Sequence, residues 1–394
     1  MEVGEVEVGD VDSVDLEATA AAPVVPDYTG ACLANVVPAI LERAAGPRPW
    51  LPEPLEGARQ AVLLVLDGLG WEQLDERRRL APTLSAMAGG PITTVVPSTT
   101  ATALTSLTTG VAPAVHGVVG YRMKVPAVTG IGEAAGEAVL NVLRWSTAAG
   151  DARQRVLPES IQPVEAFRGT KPAVVTRSGF AETGFTRAHL AGSELHGWRY
   201  PSTLVVKAAD LVRDGQDLVY AYYPGVDAVA HEFGFGPLYD AELAAADRLV
   251  ADLLAALPEG TALAVVSDHG QVHVGDRVVP LDPSVAALTA LLSGEGRFRW
   301  LHAVPGAEDE LLEVATGLYG DRAWVASRDQ LVAAGWFGGV PPATVATRYG
   351  DVALVARDPV AFVDPAEGGS YELVCRHGSL TPAEMLVPFV AERA

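Results

Sequence analysis

Short, wholly apolar runs alternate along the chain with longer stretches in which apolar residues return every three or four positions. Ala61–Leu66 (AVLLVL), Pro172–Thr176 (PAVVT), Leu218–Tyr223 (LVYAYY) and Ala262–Ser267 (ALAVVS) are the runs, and their brevity without polar alternation predicts strands buried on both faces. Leu238–Leu257 has helical spacing, follows Pro237 and stops at Pro258, which predicts a helix. Strands alternating with helices imply an α/β fold built on a mostly parallel sheet. From about residue 274 to 365 the elements shorten, with a strand expected at Arg299–Val304, a helix at Glu308–Tyr319 and a strand near Val352–Val355. This stretch is read as a small subdomain inserted into one main domain, residues 26–394.

The residues just past the apolar runs are more informative than the runs themselves. Asp67 comes directly after the first, Arg177 after the second, Asp227 four residues past the third, and Asp268 directly after the fourth. Ligand sites of open parallel sheets lie outside the carboxyl ends of the strands. Acids gathered there point to a metal site rather than an apolar pocket.

Composition narrows the field. Lys and Arg number 28 against 49 Asp and Glu, a formal net charge of −21, and no basic cluster suits phosphate neutralisation along a nucleic-acid polymer. The first seventeen residues hold seven acids and no base, the reverse of a signal peptide, so residues 1–25 are read as an acidic disordered tail. No stretch has the length of a membrane span. The two cysteines, Cys32 and Cys375, form no framework or paired motif, and a cytoplasmic protein is expected. Oligomeric state leaves no signal in the sequence.

Five segments carry candidate chemistry: VLDGLG with Asp67, VPSTTATALTSLTTG with Thr100, GVDAVAHEFG with Asp227 and His231, VSDHGQ with Asp268 and His269, and CRHGSLTPAEMLVPF with His377. Together they supply three carboxylates, three imidazoles and a hydroxyl, a donor set for two divalent ions of mixed N/O preference, Zn or Mn. Each alone has a plainer reading. An Asp after a strand is commonly a cap or turn former, and Thr99 or Thr100 could simply cap the helix that TATALTSLTTG predicts. Asp268-His269 is more pointed, because neither residue suits a core position and Gly270 leaves room for close approach. The N-terminus of the predicted TATALTSLTTG helix also offers amide donors and partial positive charge to a phosphoryl group.

From about Gln60 onward the chain resembles the nucleotide pyrophosphatase/phosphodiesterase family of the alkaline phosphatase superfamily. The resemblance implies an alkaline phosphatase-like three-layer fold and a metal-dependent phosphodiesterase. It implies one metal on Asp227, His231 and His377, and a second on Asp67, Asp268, His269 and the nucleophile. Ser98, Thr99, Thr100 and Thr102 compete for that last role. The family nucleophile lies three residues after a Pro and ten before a Thr-Gly glycine, and counting from Pro97 and from Gly110 both times gives Thr100.

One position departs from the family: an Asn that donates to the transferred phosphoryl oxygen is replaced by Tyr121 in HGVVGYRM, leaving Tyr121, Arg122 or a backbone amide to take over. Sulfatase, monoester phosphatase and phosphoglycerate mutase branches fit less well, since no Cys/Ser-x-Pro-x-Arg motif occurs and the hydroxyl is a threonine. The chain is most similar to intracellular actinobacterial enzymes that hydrolyse cyclic di-AMP to the linear dinucleotide and AMP. Arg177 is the candidate for a second phosphate, and Trp145, Phe180, Phe185 and Tyr223 for base stacking, though each aromatic is by default a core residue. A broad nucleotide pyrophosphatase, a phosphonate-ester hydrolase and a non-catalytic nucleotide sensor are the alternatives. His116, His189, His196 and His302 are read as structural and His273 as a surface residue.

Overall fold

In the computed structural model two sheets frame the site. Residues 22–46, 48–126, 137–367 and 372–394 are described. Strands in chain order are β1 (Ala61–Leu66), β2 (Ala88–Thr93), β3 (Ala173–Arg177), β4 (Glu194–Trp198), β5 (Leu218–Tyr223), β6 (Ala262–Val266), β7 (Thr289–Glu295), β8 (Phe298–Ala303), β9 (Ala323–Ser327), β10 (Val352–Ala356) and β11 (Leu386–Arg393). The large sheet runs β2-β11-β6-β1-β5-β3-β4. Neighbours from β6 to β4 pair in parallel, and β11 pairs antiparallel with both β6 and β2.

Central strands read as unbroken apolar runs because both faces are covered. Along β1, Ala61, Leu63 and Val65 enter one core while Val62, Leu64 and Leu66 enter another. Helix α1 (Thr100–Thr109) packs in the first core. Helix α2 (Pro201–Arg213) and, beyond the shorter α3 (Gly225–Phe233), helix α4 (Pro237–Ala256) fill the second. The result is three layers, helix on sheet on helix.

Threonine-rich α1 is buried along its whole length. Three of its hydroxyls are absorbed by bonds to the preceding turn: Thr105 to the Ala101 carbonyl at 2.7 Å, Thr108 to Leu104 at 2.9 Å and Thr109 to Thr105 at 2.6 Å.

The smaller sheet is antiparallel, ordered β7-β8-β10-β9. Phe298, Trp300, Ala353 and Val355 turn one face into the first core, while Leu301, Val352 and Leu354 pack against Leu311, Ala315 and Tyr319 of α5 (Glu308–Tyr319). At the N-terminal side, the Val24 amide donates to the Leu380 carbonyl at 2.9 Å, so the chain joins the fold before residue 25; residues 1–21 of the expected tail lie outside the described residues. No helix among the described residues is long and apolar enough to cross a membrane.

Candidate active site

Asp67 follows β1, Asp268 and His269 follow β6, and α3 begins two residues after β5, carrying Asp227 and His231 one turn apart. The Asp67 amide donates to Tyr223 of β5, and the Asp67 carbonyl accepts from the Asp227 amide, both at 3.0 Å, so two strand ends are laced together. Thr100 opens α1, and His377 follows the short strand Cys375–Arg376. All seven expected metal and nucleophile positions therefore converge at the carboxyl ends of the parallel strands, as the topology requires.

Donor atoms of Asp67, Asp268 and His269 lie within 4.8 Å of one another, and so do those of Asp227, His269 and His377. His269 Nε2 is 3.5 Å from both Asp67 Oδ1 and Asp268 Oδ2, and 3.0 Å from Thr100 Oγ1. His231 Nε2 is 3.2 Å from Asp227 Oδ1. One grouping differs from the expected sets: Asp227 and His377 gather with His269 as well as lying near His231. The reason is ring packing, since His269 and His377 stack at 3.6 Å with an interplanar angle of 17°, while His231 and His377 are 5.1 Å apart.

The three imidazoles share one feature. Each presents Nδ1 to a backbone carbonyl: His231 to Cys375 at 2.7 Å, His377 to Ser98 at 3.0 Å and His269 to Gly270 at 3.1 Å. A carbonyl only accepts, so Nδ1 carries the proton and the Nε2 lone pair is left for the cluster, the arrangement of metal-ligating histidines. Carboxylates are braced likewise. Asp268 Oδ1 accepts the Gly68 and His269 amides, each at 3.1 Å, Tyr222 donates its hydroxyl to Asp67 Oδ2, and Gln271 Nε2 donates to Asp227 Oδ1 at 2.8 Å. The second oxygens of the two fully enclosed acids, Asp67 Oδ1 and Asp268 Oδ2, are buried without a hydrogen-bond partner. Such orphaned oxygens facing free imidazole nitrogens fit divalent cations and little else.

Electrostatics agree. Burial, then the charges of Asp268 and Asp227, push the Asp67 carboxyl well above its ordinary range. Burial and the neighbouring imidazoles hold His377 well below the usual histidine value, so its lone pair is available at neutral pH. Gly270 is required by packing, because a Cβ there would sit 2.0 Å from the Ala383 carbonyl oxygen.

Competing hydroxyls are separated by their partners. Ser98 Oγ donates to the Ser379 carbonyl at 2.7 Å, Thr102 Oγ1 is buried without a partner, and Thr99 makes no side-chain cap for α1. Thr100 alone of the four is bonded to a ligand candidate. The Tyr121 hydroxyl accepts from Asn141 Nδ2 at 2.7 Å. Arg122 is held by Asp364 at 2.6 Å and lies 3.6 Å from Glu367, so its guanidinium is committed to an ion-pair cluster. Arg177 is exposed at the end of β3, with its guanidinium over the rings of Phe180 at 5.8 Å and Trp198 at 6.0 Å.

Two suggested base contacts are core instead: Trp145 is buried with its indole N–H on the Val156 carbonyl, and Phe185 is buried in a stack with His189. Tyr223 is buried against Trp198 and donates to Glu242, leaving Phe180 the partly exposed aromatic of that group. His116 is structural, bonded to Ser106 and to the Val118 amide, and His273 is exposed. Tyr222, Gln271 and Glu295, which lies 3.6 Å from His377, are absent from the candidates that the sequence suggests; only Gln271, two residues past His269, carries a sequence cue.

Fold and site together define an alkaline phosphatase-like, metal-dependent hydrolase of phosphate esters. Residues 61–380 match the family Type I phosphodiesterase / nucleotide pyrophosphatase, and the chain belongs to that family. It is therefore a phosphodiester and pyrophosphate hydrolase of a divalent-metal-dependent class.

Among solved structures, murine ectonucleotide pyrophosphatase/phosphodiesterase 5 is similar with a TM-score of 0.63 and 15% identity, covering 84% of this chain and 88% of that one. An inactive variant of the murine protein, with a threonine replaced by alanine and in complex with AMP, gives 0.61 at 15% identity, covering 85% and 88%. Phosphonoacetate hydrolase from Sinorhizobium meliloti 1021 with phosphonoformate gives 0.58 at 19% identity, covering 89% and 92%. No curated protein matches the sequence.

Proposed function

We propose that this enzyme hydrolyses nucleotide phosphodiester bonds with two divalent ions, Zn or Mn, through a threonyl-phosphoryl intermediate on Thr100. The observation carrying this reading is that Thr100 Oγ1, at the N-terminus of a buried helix, bonds His269 Nε2 at 3.0 Å, where Asp67 and Asp268 also converge. The inactive threonine-to-alanine variant of the murine protein supports a threonine nucleophile. Asp227, His231 and His377 would hold one ion, and Asp67, Asp268 and His269 with Thr100 the other. When bound, the ions supply charge stabilisation and lower the pKa of a coordinated hydroxyl.

The chain's own groups supply the rest. Thr100 Oγ attacks phosphorus in line, the bond to the leaving oxygen breaks, and water then cleaves the threonyl phosphate. Amides at the start of α1 receive the phosphoryl oxygens. Asn141 occupies a lone pair on the Tyr121 oxygen, which frees the phenolic proton to donate to the phosphoryl group in place of the family Asn. Arg177 would hold a second phosphate, with Phe180 beside it for a base.

Cyclic di-AMP is the proposed substrate, a dinucleotide with the second phosphate that Arg177 awaits, and a cytoplasmic location goes with it. Products from cyclic di-AMP under Mn and under Zn, with and without chelator, test this. Metal-dependent linear dinucleotide followed by AMP is expected. Hydrolysis of dinucleoside polyphosphates or aryl diesters with cyclic di-AMP untouched would overturn the substrate assignment. The likeness to phosphonoacetate hydrolase makes a phosphonate ester a needed member of the same panel.

A further inference from the structure

Glu295 ends β7 of the small sheet, and its carboxylate meets the metal centre from the outside. The residue is 8% exposed. Its Oε2 lies 3.6 Å from His377 Nδ1, the nitrogen that already donates to the Ser98 carbonyl, and its Oε1 is buried without a hydrogen-bond partner. Burial pushes the Glu295 carboxyl well above its ordinary range, and the Thr99 side chain, which makes no cap for α1, hydrogen-bonds this carboxylate instead. One carboxylate therefore reaches both the residue before the candidate nucleophile and a candidate metal-ligating imidazole.

Backbone structure explains the convergence. Ser98 and Gly378 form an antiparallel bridge: the Ser98 amide donates to the Gly378 carbonyl and the Gly378 amide to Ser98 Oγ, each at 3.2 Å. Gly378 has φ +124°, and a Cβ there would sit 2.9 Å from Cγ and Cδ of Glu295, so the glycine makes room for the carboxylate beside His377. The turn after β7 is anchored too. Arg297 grips Glu384 through bonds of 2.7 and 2.8 Å, with both side chains fully buried, and the Glu384 carbonyl accepts the Gly270 amide at 2.9 Å.

A buried carboxylate with an unused oxygen is costly, and an apolar side chain would pack this junction more cheaply.

We infer that Glu295 is a positioning residue of the metal centre, setting the His377 ring and the Thr99–Thr100 turn from behind. The inference rests on the two-metal reading. Carboxylates that back a ligating histidine are worth about 10–100-fold in metal affinity.

The test is calorimetric titration of Zn and of Mn into the chelator-stripped full chain, for wild type, Glu295→Gln and Glu295→Ala. The unfolding midpoint of each metal-free protein is measured alongside. Two ions on wild type, with one site weakened about tenfold or more in the Ala variant and partly restored in Gln, is the expected result. Should Ala fail to fold, the Gln variant decides on the same criterion, with a smaller loss at one site expected. Wild-type affinity at both sites in a folded variant, with only the midpoint changed, would overturn the inference. If wild type itself binds no ion, the two-metal reading falls first and this inference with it.

Discussion

Replacing Asp268 by Asn tests the metal centre where its electrostatics are most exposed. Asp268 is fully buried, and its Oδ1 accepts two amides that an Asn oxygen can also accept, so the fold should survive. Its Oδ2 has no partner and lies in the same cluster as Asp67, donor atoms being within 4.8 Å. Two charges at that separation repel by about 3 kcal/mol at an effective dielectric near 20.

Without ions, wild type relieves part of this by keeping a proton on Asp67, whose carboxyl is raised above its ordinary range. An acid raised in the folded state holds a proton that the unfolded chain has lost, so its contribution to stability falls as pH rises through that window. Metal-free Asp268→Asn should therefore be more stable than metal-free wild type, by up to about 3 kcal/mol, with the gap widening toward alkaline pH. Metal closes that gap. An ion at a hundred times its dissociation constant adds about 2.7 kcal/mol at the site that Asp268 completes, and Asn is a poor substitute for the carboxylate donor.

Unfolding midpoints with chelator and with Mn or Zn, beside turnover of an aryl phosphodiester, give both readouts. Turnover should fall by at least about a hundredfold. A variant with wild-type turnover and an unchanged metal-dependent shift in midpoint would refute the ligand assignment.

Thr100→Ala should lose turnover by more than about 10⁴-fold while the remaining ligands still bind both ions, the second more weakly; turnover within about tenfold of wild type would remove Thr100 as the nucleophile. Arg177→Ala should raise KM for a dinucleotide about tenfold and leave a simple aryl phosphodiester unaffected; equal effects on both would remove Arg177 from substrate binding. Chelator should abolish AMP binding by the full chain, because the carboxylates of Asp67, Asp227 and Asp268 would then face the phosphate unneutralised; equilibrium dialysis of labelled AMP reads this directly. His302 is held down to about 3 by burial and by the charges of Lys124 and Arg328. A base depressed in the folded state loses stability as pH falls below about 6.5, at about 1.4 kcal/mol per pH unit, so His302→Gln should lose less than wild type between pH 7 and 5.5 in urea unfolding.

Legibility in the sequence depends on where each residue sits. β1 and β5 are legible to the residue, and β3 and β6 to within one, because burial on both faces removes polar positions from the run. β2, spelled AGGPIT, and β4, spelled ELHGW, are sheet edges, where Gly, Pro and polar residues are tolerated and the pattern disappears. Asp67 and Asp268 are legible as site residues because they stand directly after buried strands. His377 is more than a hundred residues from His269 and His231, beside which it packs, and only the family resemblance locates it. Arg122 reads as a phosphate contact in the sequence, but Asp364 and Glu367, brought in from the far end of the small-sheet region, claim its charge. An aromatic near a strand end reads the same whether it stacks on a base or fills the core, as Trp145 and Phe185 do.

Net charge takes on a different meaning once the site is built. Seven of the acids lie in the first seventeen residues, which leaves −21 + 7 = −14 for the rest, and three of those charges converge where a phosphate must bind. Phosphoryl enzymes commonly meet their substrate with Lys and Arg; here the groups aimed at the site are carboxylates and imidazoles whose Nδ1 atoms face backbone carbonyls. That constellation repels a phosphate until cations arrive; two divalent ions would displace the Asp67 proton and bring three ionised carboxylates to a net +1. The acidity is therefore compatible with an anionic substrate because it is the means of holding the charge that attracts it. The proposed mechanism therefore makes occupancy of the metal sites, more than any basic side chain except Arg177, the control on substrate binding.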